Sequence, residues 1–281
     1  MDLLPGHIRF TERIIWNFIV DRTPEGCPLI LGLSGGLDSA VALHLAITAV
    51  GPERTIPVFM PYGTMNEKDE GFARRCAEIT GTDLRDVDIT DFVDSLPVDV
   101  SGMALGNAAA RARMMILYAI ANTEGGFVLG PSNKTELLMG YFTKYGDGAS
   151  DLAPIGDLFK TQVRLLAEKI GVPEEIIERP PTANLVPGQT DEGEMGMPYP
   201  ILDQVLNGLI MGLKEDEIAR ETDCSFASEE EMARSGFEPP LDLEDVKRIK
   251  RTVTASRHKR DPLVIPKVGT STVALDIRER W

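Results

Sequence analysis

Cysteine is scarce in this 281-residue chain. Cys27, Cys76 and Cys224 form no CxxC pair and have no histidine nearby in sequence, so they read as reduced, buried or half-buried thiols of a cytosolic protein. Long apolar runs are also missing. None approaches the ~18–20 residues needed to cross a bilayer. The opening segment MDLLPGHIRFTERIIW is broken by Arg9, Glu12 and Arg13, so it lacks a signal-peptide core. The protein is therefore expected to be soluble and cytoplasmic, with no membrane partner. Positive charge is in deficit: 29 Lys and Arg face 44 Asp and Glu, a formal net charge of −15. That balance argues against a protein whose main task is coating nucleic-acid backbones, although it leaves room for a local basic site.

What is present is ordinary for a globular chain. Hydrophobic residues make up 43% and charged residues 26%, and the length allows one large α/β domain or two small ones with a full core. Ile14, Ile15, Phe18 and Ile19 fall at helical spacing, so residues 8–21 read as an amphipathic helix. Pro28–Leu33 reads as a strand buried on both faces, followed by a glycine turn and a helix over Leu37–Val50. The alternation continues: a strand at Thr55–Met60, a helix at Glu67–Thr80, a strand at Leu84–Ile89, a helix at Ala104–Asn122 and a strand at Phe127–Gly130. Such alternation predicts an α/β fold with a doubly wound parallel sheet, helices on both faces and ligands at the carboxyl ends of its strands. Val163, Leu166, Ala167 and Ile170 place a further helix over 158–170. Beyond it the sequence predicts loops over 180–200 and two or three helices, the last near 242–257. The connections at 140–157 and 180–198 are long enough to be functional lids.

The strongest local signal is Ser34-Gly35-Gly36-Leu37-Asp38-Ser39, between a buried strand and a helix. Two glycines let the backbone turn tightly and bring its N–H groups close to an anion. The helix that follows aims more free N–H groups and its positive dipole end at the same point. Ser34 and Ser39 add hydroxyls, and Asp38 can hold Mg2+ against phosphates. Taken alone, the hexapeptide could also be a plain turn with a serine cap. It is not a Walker A loop, because the lysine of GxxxxGK[ST] is missing.

The hexapeptide resembles the SGGxDS loop of the ATP-pyrophosphatase (PP-loop) enzymes, which release pyrophosphate and transfer AMP to a substrate oxygen. Gly106-Asn107, Ala110-Arg111-Ala112-Arg113-Met114 and Leu129–Glu136 are similar to successive motifs of the NAD synthetase family. So are Gly140–Gly148 with Asp151, Pro154 and Lys160, then Pro181-Thr182-Ala183, Gln189–Glu192 and His258-Lys259-Arg260. The likeness runs from about Leu31 to Arg260. It implies an adenine nucleotide alpha hydrolase-like fold and a carbon–nitrogen ligase that converts deamido-NAD+ to NAD+. The nicotinate carboxylate would attack the α-phosphate of ATP, and ammonia would displace AMP from the acyl adenylate. It implies one domain over 1–281, with a nucleotide-binding core at about 28–170 and a helical and loop part at about 171–281.

Roles carried by the resemblance follow position by position. Gly32, Leu33, Ser34, Gly35, Gly36, Leu37, Asp38 and Ser39 would cradle the ATP phosphates, with Lys160 and Thr182 also contacting ATP. Asp38 and Glu136 would ligate Mg2+; Asp38 and Lys160 would be the catalytic pair. Arg111, Lys144, Asp151, His258 and Lys259 would hold deamido-NAD+, and Asp147 would organise its loop rather than touch ligand. Pro131 departs from the usual threonine and offers neither hydroxyl nor N–H, so that ATP contact is lost or moved to Ser132. Without the resemblance, Arg111, Arg113, Lys144 and Lys160 would read as surface cations, His258 as part of a basic helix end and Glu136 as a first-turn acid. The run Asp191, Glu192 and Glu194 reads as a solvated face.

Some members of the family carry a glutaminase domain, which needs a nucleophilic cysteine and several hundred more residues. About 27 residues precede the first strand here, so ammonia is expected to be used directly or received from a separate protein. The resemblance also implies a homodimer with the deamido-NAD+ site at its interface. The opening helix and the helix over 103–122 are apolar enough to pack together. Other classes remain open at this point: a tRNA-thiolating or GMP-forming PP-loop enzyme, and a non-catalytic nucleotide-binding module. The first usually needs paired cysteines and a basic RNA surface, and GMP-forming enzymes lack GYFTKYGDG.

Overall fold

The computed structural model describes residues 5–63, 67–182 and 190–261. Ala183, Gln189 and the part of the long connection between them lie outside the described residues. The chain opens with helix α1 (Pro5–Arg22), then β1 (Leu29–Gly32), α2 (Leu37–Val50), β2 (Thr55–Phe59), α3 (Glu67–Thr80) and β3 (Arg85–Asp86). A short α4 (Thr90–Asp94) leads to the long α5 (Gly102–Glu124), followed by β4 (Phe127–Val128), α6 (Lys134–Met139) and α7 (Lys160–Ile170). The remainder is helical: α8 (Glu174–Ile177), α9 (Asp191–Met195), α10 (Tyr199–Ile210), α11 (Glu215–Glu221), α12 (Glu229–Ser235), α13 (Leu243–Ala255) and α14 (Arg257–Arg260).

The four strands form a parallel sheet in the order β3-β2-β1-β4, as the alternating pattern predicts. Period-two geometry sends successive side chains of β1 to opposite faces. Leu29, Leu31 and Leu33 join the layer that holds α1, α2 and α7. Ile30 joins Val58, Val128 and the inward side of α5 on the other face. Leu29, Ile30 and Leu31 are each 0% exposed, and full burial of such a side chain contributes about 1.5–3 kcal/mol. This is why β1 reads as a continuous apolar run and lies at the centre. The chain leaves β1 outward to β2 and β3, then returns to place β4 on its other side. The carboxyl ends of β1 and β4 therefore flank the topological switch point.

Two outer strands are shorter than their sequence suggests. Only Arg85 and Asp86 of Leu84–Ile89 form ladder pairs, although Val87 and Ile89 N–H groups still donate to Phe59 and Pro61 carbonyls at 2.9 and 3.0 Å. Only Phe127 and Val128 pair along β4, with an isolated bridge from Leu129 to Leu152. The larger departure lies beyond residue 170, where the described residues form seven helices in place of the expected two or three. Several are short and polar, and they are held by local caps: Ser228 begins α12 and Asp242 begins α13 with reciprocal side-chain-to-backbone bonds. A third apolar layer, including Phe159, Tyr199, Leu202, Val205 and Ile249, fastens these helices to α6. Cys76 is buried, and burial pushes its thiol up to about 12, so it stays protonated; Cys27 and Cys224 are half-buried and free.

Candidate active site

Ser34–Ser39 leave β1 at the switch point. The Leu33 N–H still donates to the Val58 carbonyl at 2.9 Å, so the chain is held in the sheet up to the loop. Gly35 has φ +78°, and a Cβ there would overlap the Asp69 carbonyl oxygen of α3. Only glycine fits. Gly36 is the N-cap of α2, and no side chain caps the helix there. The first-turn amides of a 14-residue helix are thus available to an anion, with the helix dipole behind them. The serines shape the loop from within: Ser34 Oγ accepts from Gly36 N–H at 3.3 Å and lies 3.2 Å from Ser39 Oγ. Ser39 Oγ donates to the Gly36 carbonyl at 2.9 Å.

Beside the loop, Asp38 and Lys160 form an ion pair, with side chains 16% and 9% exposed. Asn133 Nδ2 donates to the other Asp38 oxygen at 3.3 Å, and Glu136 Oε1 lies 4.0 Å from Lys160 Nζ. Burial opposes the Lys160 charge, yet the carboxylates of Asp38, Glu136 and Asp191 outweigh it and raise the ammonium pKa. Burial, then the neighbouring Asp38, push the Glu136 carboxyl well above the usual range, against the pull of Lys160. Burial also raises Asp191, whose Oδ2 accepts from Tyr199 OH at 3.2 Å. The Tyr199 ring centre is 5.5 Å from Lys160 Nζ. The arrangement is one ammonium shared among acids in a partly dry site.

Asp203, on α10, fixes this group from below. It accepts from Thr135 Oγ1 at 2.6 Å, Thr161 Oγ1 at 2.8 Å and Thr161 N–H at 2.9 Å. Thr135 Oγ1 in turn accepts from Lys160 N–H at 3.0 Å. One buried carboxyl therefore ties the first turns of α6 and α7, which carry Glu136 and Lys160. Burial pushes Asp203 up to about 6 despite its three donors.

Loop, ion cluster and apolar walls enclose a cleft of about 1290 Å3, larger than a usual single-ligand pocket. Its walls include Leu33, Val58, Met60, Met114, Leu117 and Leu129. The cleft has an anion-ready helix end, a buried lysine–carboxylate cluster and room for two ligands, which suits group transfer between nucleotides.

Comparison with known proteins decides between the candidate classes. A profile described as NAD synthase matches residues 20–262. The chain is 44% identical to the NH3-dependent NAD+ synthetase of Trichlorobacter lovleyi, covering 99% of this chain and 97% of that one. It is 41% identical to the enzyme of the same name from Pyrococcus horikoshii, over 89% and 90% of the two chains. The solved NMN synthetase of Francisella tularensis superposes with a TM-score of 0.73 at 30% identity, over 92% and 98%. The chain belongs to the NAD synthase family. The family's chemistry is the ATP-dependent amidation of deamido-NAD+ to NAD+, a carbon–nitrogen ligation.

Set against the family, the expected ATP-side residues converge: Gly32, Leu33, Ser34, Gly36, Leu37, Asp38, Ser39, Glu136, Lys160 and Thr182 all line the cleft, and Gly35 braces the loop from behind. The five residues expected at deamido-NAD+ behave differently, for only Lys259 borders the cleft. Its Nζ donates to the Gly140 and Phe142 carbonyls at 2.7 and 2.8 Å. Arg111 Nε donates to the Lys144 carbonyl at 3.1 Å, and Lys144 Nζ to the His258 carbonyl at 2.7 Å. These three form a connected rim outside the cleft. Asp151 is committed to the sheet edge, where Oδ2 accepts the Val128 N–H at 2.8 Å.

Thr143 N–H donates to Asp147 Oδ1 at 3.0 Å, the loop-organising contact expected of it, although Asp147 also borders the cleft. Pro131 faces the cleft, while Ser132 Oγ donates to the Asp147 carbonyl at 3.3 Å. The acidic run corrects the sequence reading: Asp191 and Glu192 are 5% and 1% exposed, not solvated. Glu192 pairs with Arg234 at 2.8 Å and accepts from the Tyr199 N–H at 3.1 Å. Asn133, Asp203 and Tyr199 were not singled out from sequence. Asn133 had a visible signal, since Asn followed at the third residue by Glu is a capping-box pattern; Asp203 had none. Asp203→Ala leaves the Thr161 N–H and two hydroxyls without their acceptor. It is expected to lower stability by about 2–3 kcal/mol, read from the midpoint of urea unfolding.

Proposed function

We propose that the chain activates deamido-NAD+ with ATP and amidates it with free ammonia. The observation that carries the reading is the uncapped α2 N-terminus beside the Asp38–Lys160–Glu136 cluster, in a chain matched over nearly its whole length by NH3-dependent relatives. In the first step a nicotinate carboxylate oxygen attacks the α-phosphorus, and the bond to pyrophosphate breaks. In the second, ammonia attacks the acyl carbon, the bond to AMP breaks and a proton is lost. Two steps are needed because a carboxylate resists a nucleophile, whereas its mixed anhydride with AMP has a good leaving group.

The loop from Gly32 to Ser39 holds the phosphates through its amides, with Thr182 adding a hydroxyl. Lys160 carries the positive charge that opposes charge building on the phosphates. Asp38 and Glu136 are the ligands for Mg2+. The fit rests on their chemistry: two carboxylates that converge on the one Lys160 ammonium suit a hard cation that takes one or two carboxylates plus phosphate oxygens. The bound ion supplies charge neutralisation. Arg111, Lys144 and His258 hold deamido-NAD+ along the rim, with Lys259 on the cleft side and Asp151 at the sheet edge, and a second copy of the chain completes the site.

A second reading concerns the size of the acid. The similarity to an NMN synthetase makes the deamidated mononucleotide a rival substrate. AMP formation measured with each acid, with and without ammonium, tests both. AMP that requires deamido-NAD+ and ammonium supports the proposal; preference for the mononucleotide replaces it; ATP binding without turnover leaves a nucleotide-binding module.

Asp38→Ala is expected to lower kcat by ~10²-fold or more, the scale of losing one electrostatic stabiliser. At fixed, subsaturating total ammonium, the rate should climb as pH rises from neutrality, because NH4+ has no lone pair. Glutamine in place of ammonium should give no turnover with the purified chain. Exposed apolar side chains on α1 (Phe10, Ile14) and on α5 (Met103, Met115) support a homodimer, which equilibrium sedimentation checks: a mass that stays at the 30.8 kDa of one chain refutes it.

A further inference from the structure

We propose that Arg179 is the positioning residue of the nucleotide loop, setting the orientation of the Gly35–Gly36 peptide and through it the affinity for ATP. The inference rests on the ATP reading above. Arg179 follows α8, far from the loop in sequence, yet its Nη1 donates to the Gly35 carbonyl at 3.2 Å. Its Nη2 pairs with Asp69 of α3, and its guanidinium lies 5.4 Å from the centre of the Phe72 ring. The Arg179 side chain is 17% exposed and that of Asp69 only 2%. A planar guanidinium held by a carboxylate on one nitrogen and an aromatic face cannot swing without breaking contacts.

The consequence follows from peptide geometry. In a trans peptide the C=O and the next N–H point in opposite directions. Holding the Gly35 carbonyl on the α3 side turns the Gly36 N–H the other way, toward Ser34 Oγ at 3.3 Å. That amide belongs to the group assigned to the phosphates. Glycine offers little resistance to a peptide flip, and here two glycines adjoin, so an external clamp decides which way the amide faces. Asp69 already balances the Arg179 charge, so Arg179 acts by orientation rather than by adding net charge. It also lies three residues before Thr182, so one short segment supplies both a phosphate-side hydroxyl and the brace behind the loop.

Three variants test this. R179K keeps the charge beside Asp69 but cannot reach the carboxylate and the Gly35 carbonyl together. D69N releases the guanidinium. R179M/D69N removes the buried pair as a unit and leaves no lone buried charge. Each is expected to raise the ATP KM by about 10-fold, the scale of a charge-assisted hydrogen bond. The KM for deamido-NAD+ should stay unchanged, kcat at saturating ATP should stay within about threefold, and thermal unfolding without ligand should match wild type for at least one variant. The double variant should be no worse than the worse single one, since both act on one contact. An unchanged ATP KM in R179K and the double variant overturns the proposal. So does a D69N chain that binds ATP more tightly, which would make Arg179 a direct phosphate ligand. Failure of the wild-type chain to bind ATP would instead sink the functional reading.

Discussion

The site depends on one ammonium held among acids, Lys160 beside Asp38, Glu136 and Asp191. A lysine this deeply buried would lose its proton if alone, and carboxylates this close would not all ionise. Each makes the other's charge tolerable. The cluster is also a mechanical joint, because Asp38 begins α2 on the sheet layer while Glu136 begins α6, which packs into the C-terminal helical layer. Breaking such a pair from one side leaves a buried charge without compensation, a loss of about 3–5 kcal/mol. The fold and the candidate site therefore share these residues.

Helix ends explain how the rest is arranged. α6, α12 and α13 begin with reciprocal capping boxes built on Asn133, Ser228 and Asp242, which satisfy their own amides. The start of α2 has no such cap; its serines bond within the loop instead. That is the pattern expected of amides kept for an outside acceptor. The start of α7 is organised from a distance by Asp203, which bonds both Thr161 and Thr135. Two helices that deliver charged groups are thus registered by one carboxyl on a third.

The central βα unit was legible because its causes are local. An apolar run, two glycines and an alanine-rich helix specify β1, the loop and α2 without outside help. The residues expected on the ATP side, Gly35 apart, line one cleft beside that unit. Strands at the sheet edge were overestimated, since Leu84–Ile89 has strand composition but one neighbour only to pair with. The C-terminal helices were undercounted because they are short and rely on caps and cross-packing rather than a sustained 3.6-residue period. The acidic run at Asp191–Glu194 misled for the same reason. Glu192 is buried against Arg234, a partner 42 residues away, and Tyr199 closes over Asp191. Asp203 bonds Thr135 across 68 positions. No local composition announces such pairs.

The overall charge of −15 sits oddly with anionic substrates until the cleft is considered apart from the surface. Exposed charges fade beyond about 8 Å at physiological salt, so the net charge provides little long-range steering either way. Within the cleft the cations are immobilised rather than free. Arg113 Nε is held by the Met60 carbonyl at 2.9 Å, Lys259 by the carbonyls of Gly140 and Phe142, and Arg179 by that of Gly35. Carbonyl oxygens orient a cation while leaving its net charge intact, whereas a carboxylate cancels it. Arg113 and Lys259 share one nearby acid, Asp147, whose carboxyl desolvation holds above its usual range, so they are less fully matched than Lys160 and Arg179, which pair with Asp38 and Asp69. A triphosphate entering beside Asp38 would crowd negative charge around Lys160, which the carboxylates of Asp38, Glu136 and Asp191 already surround.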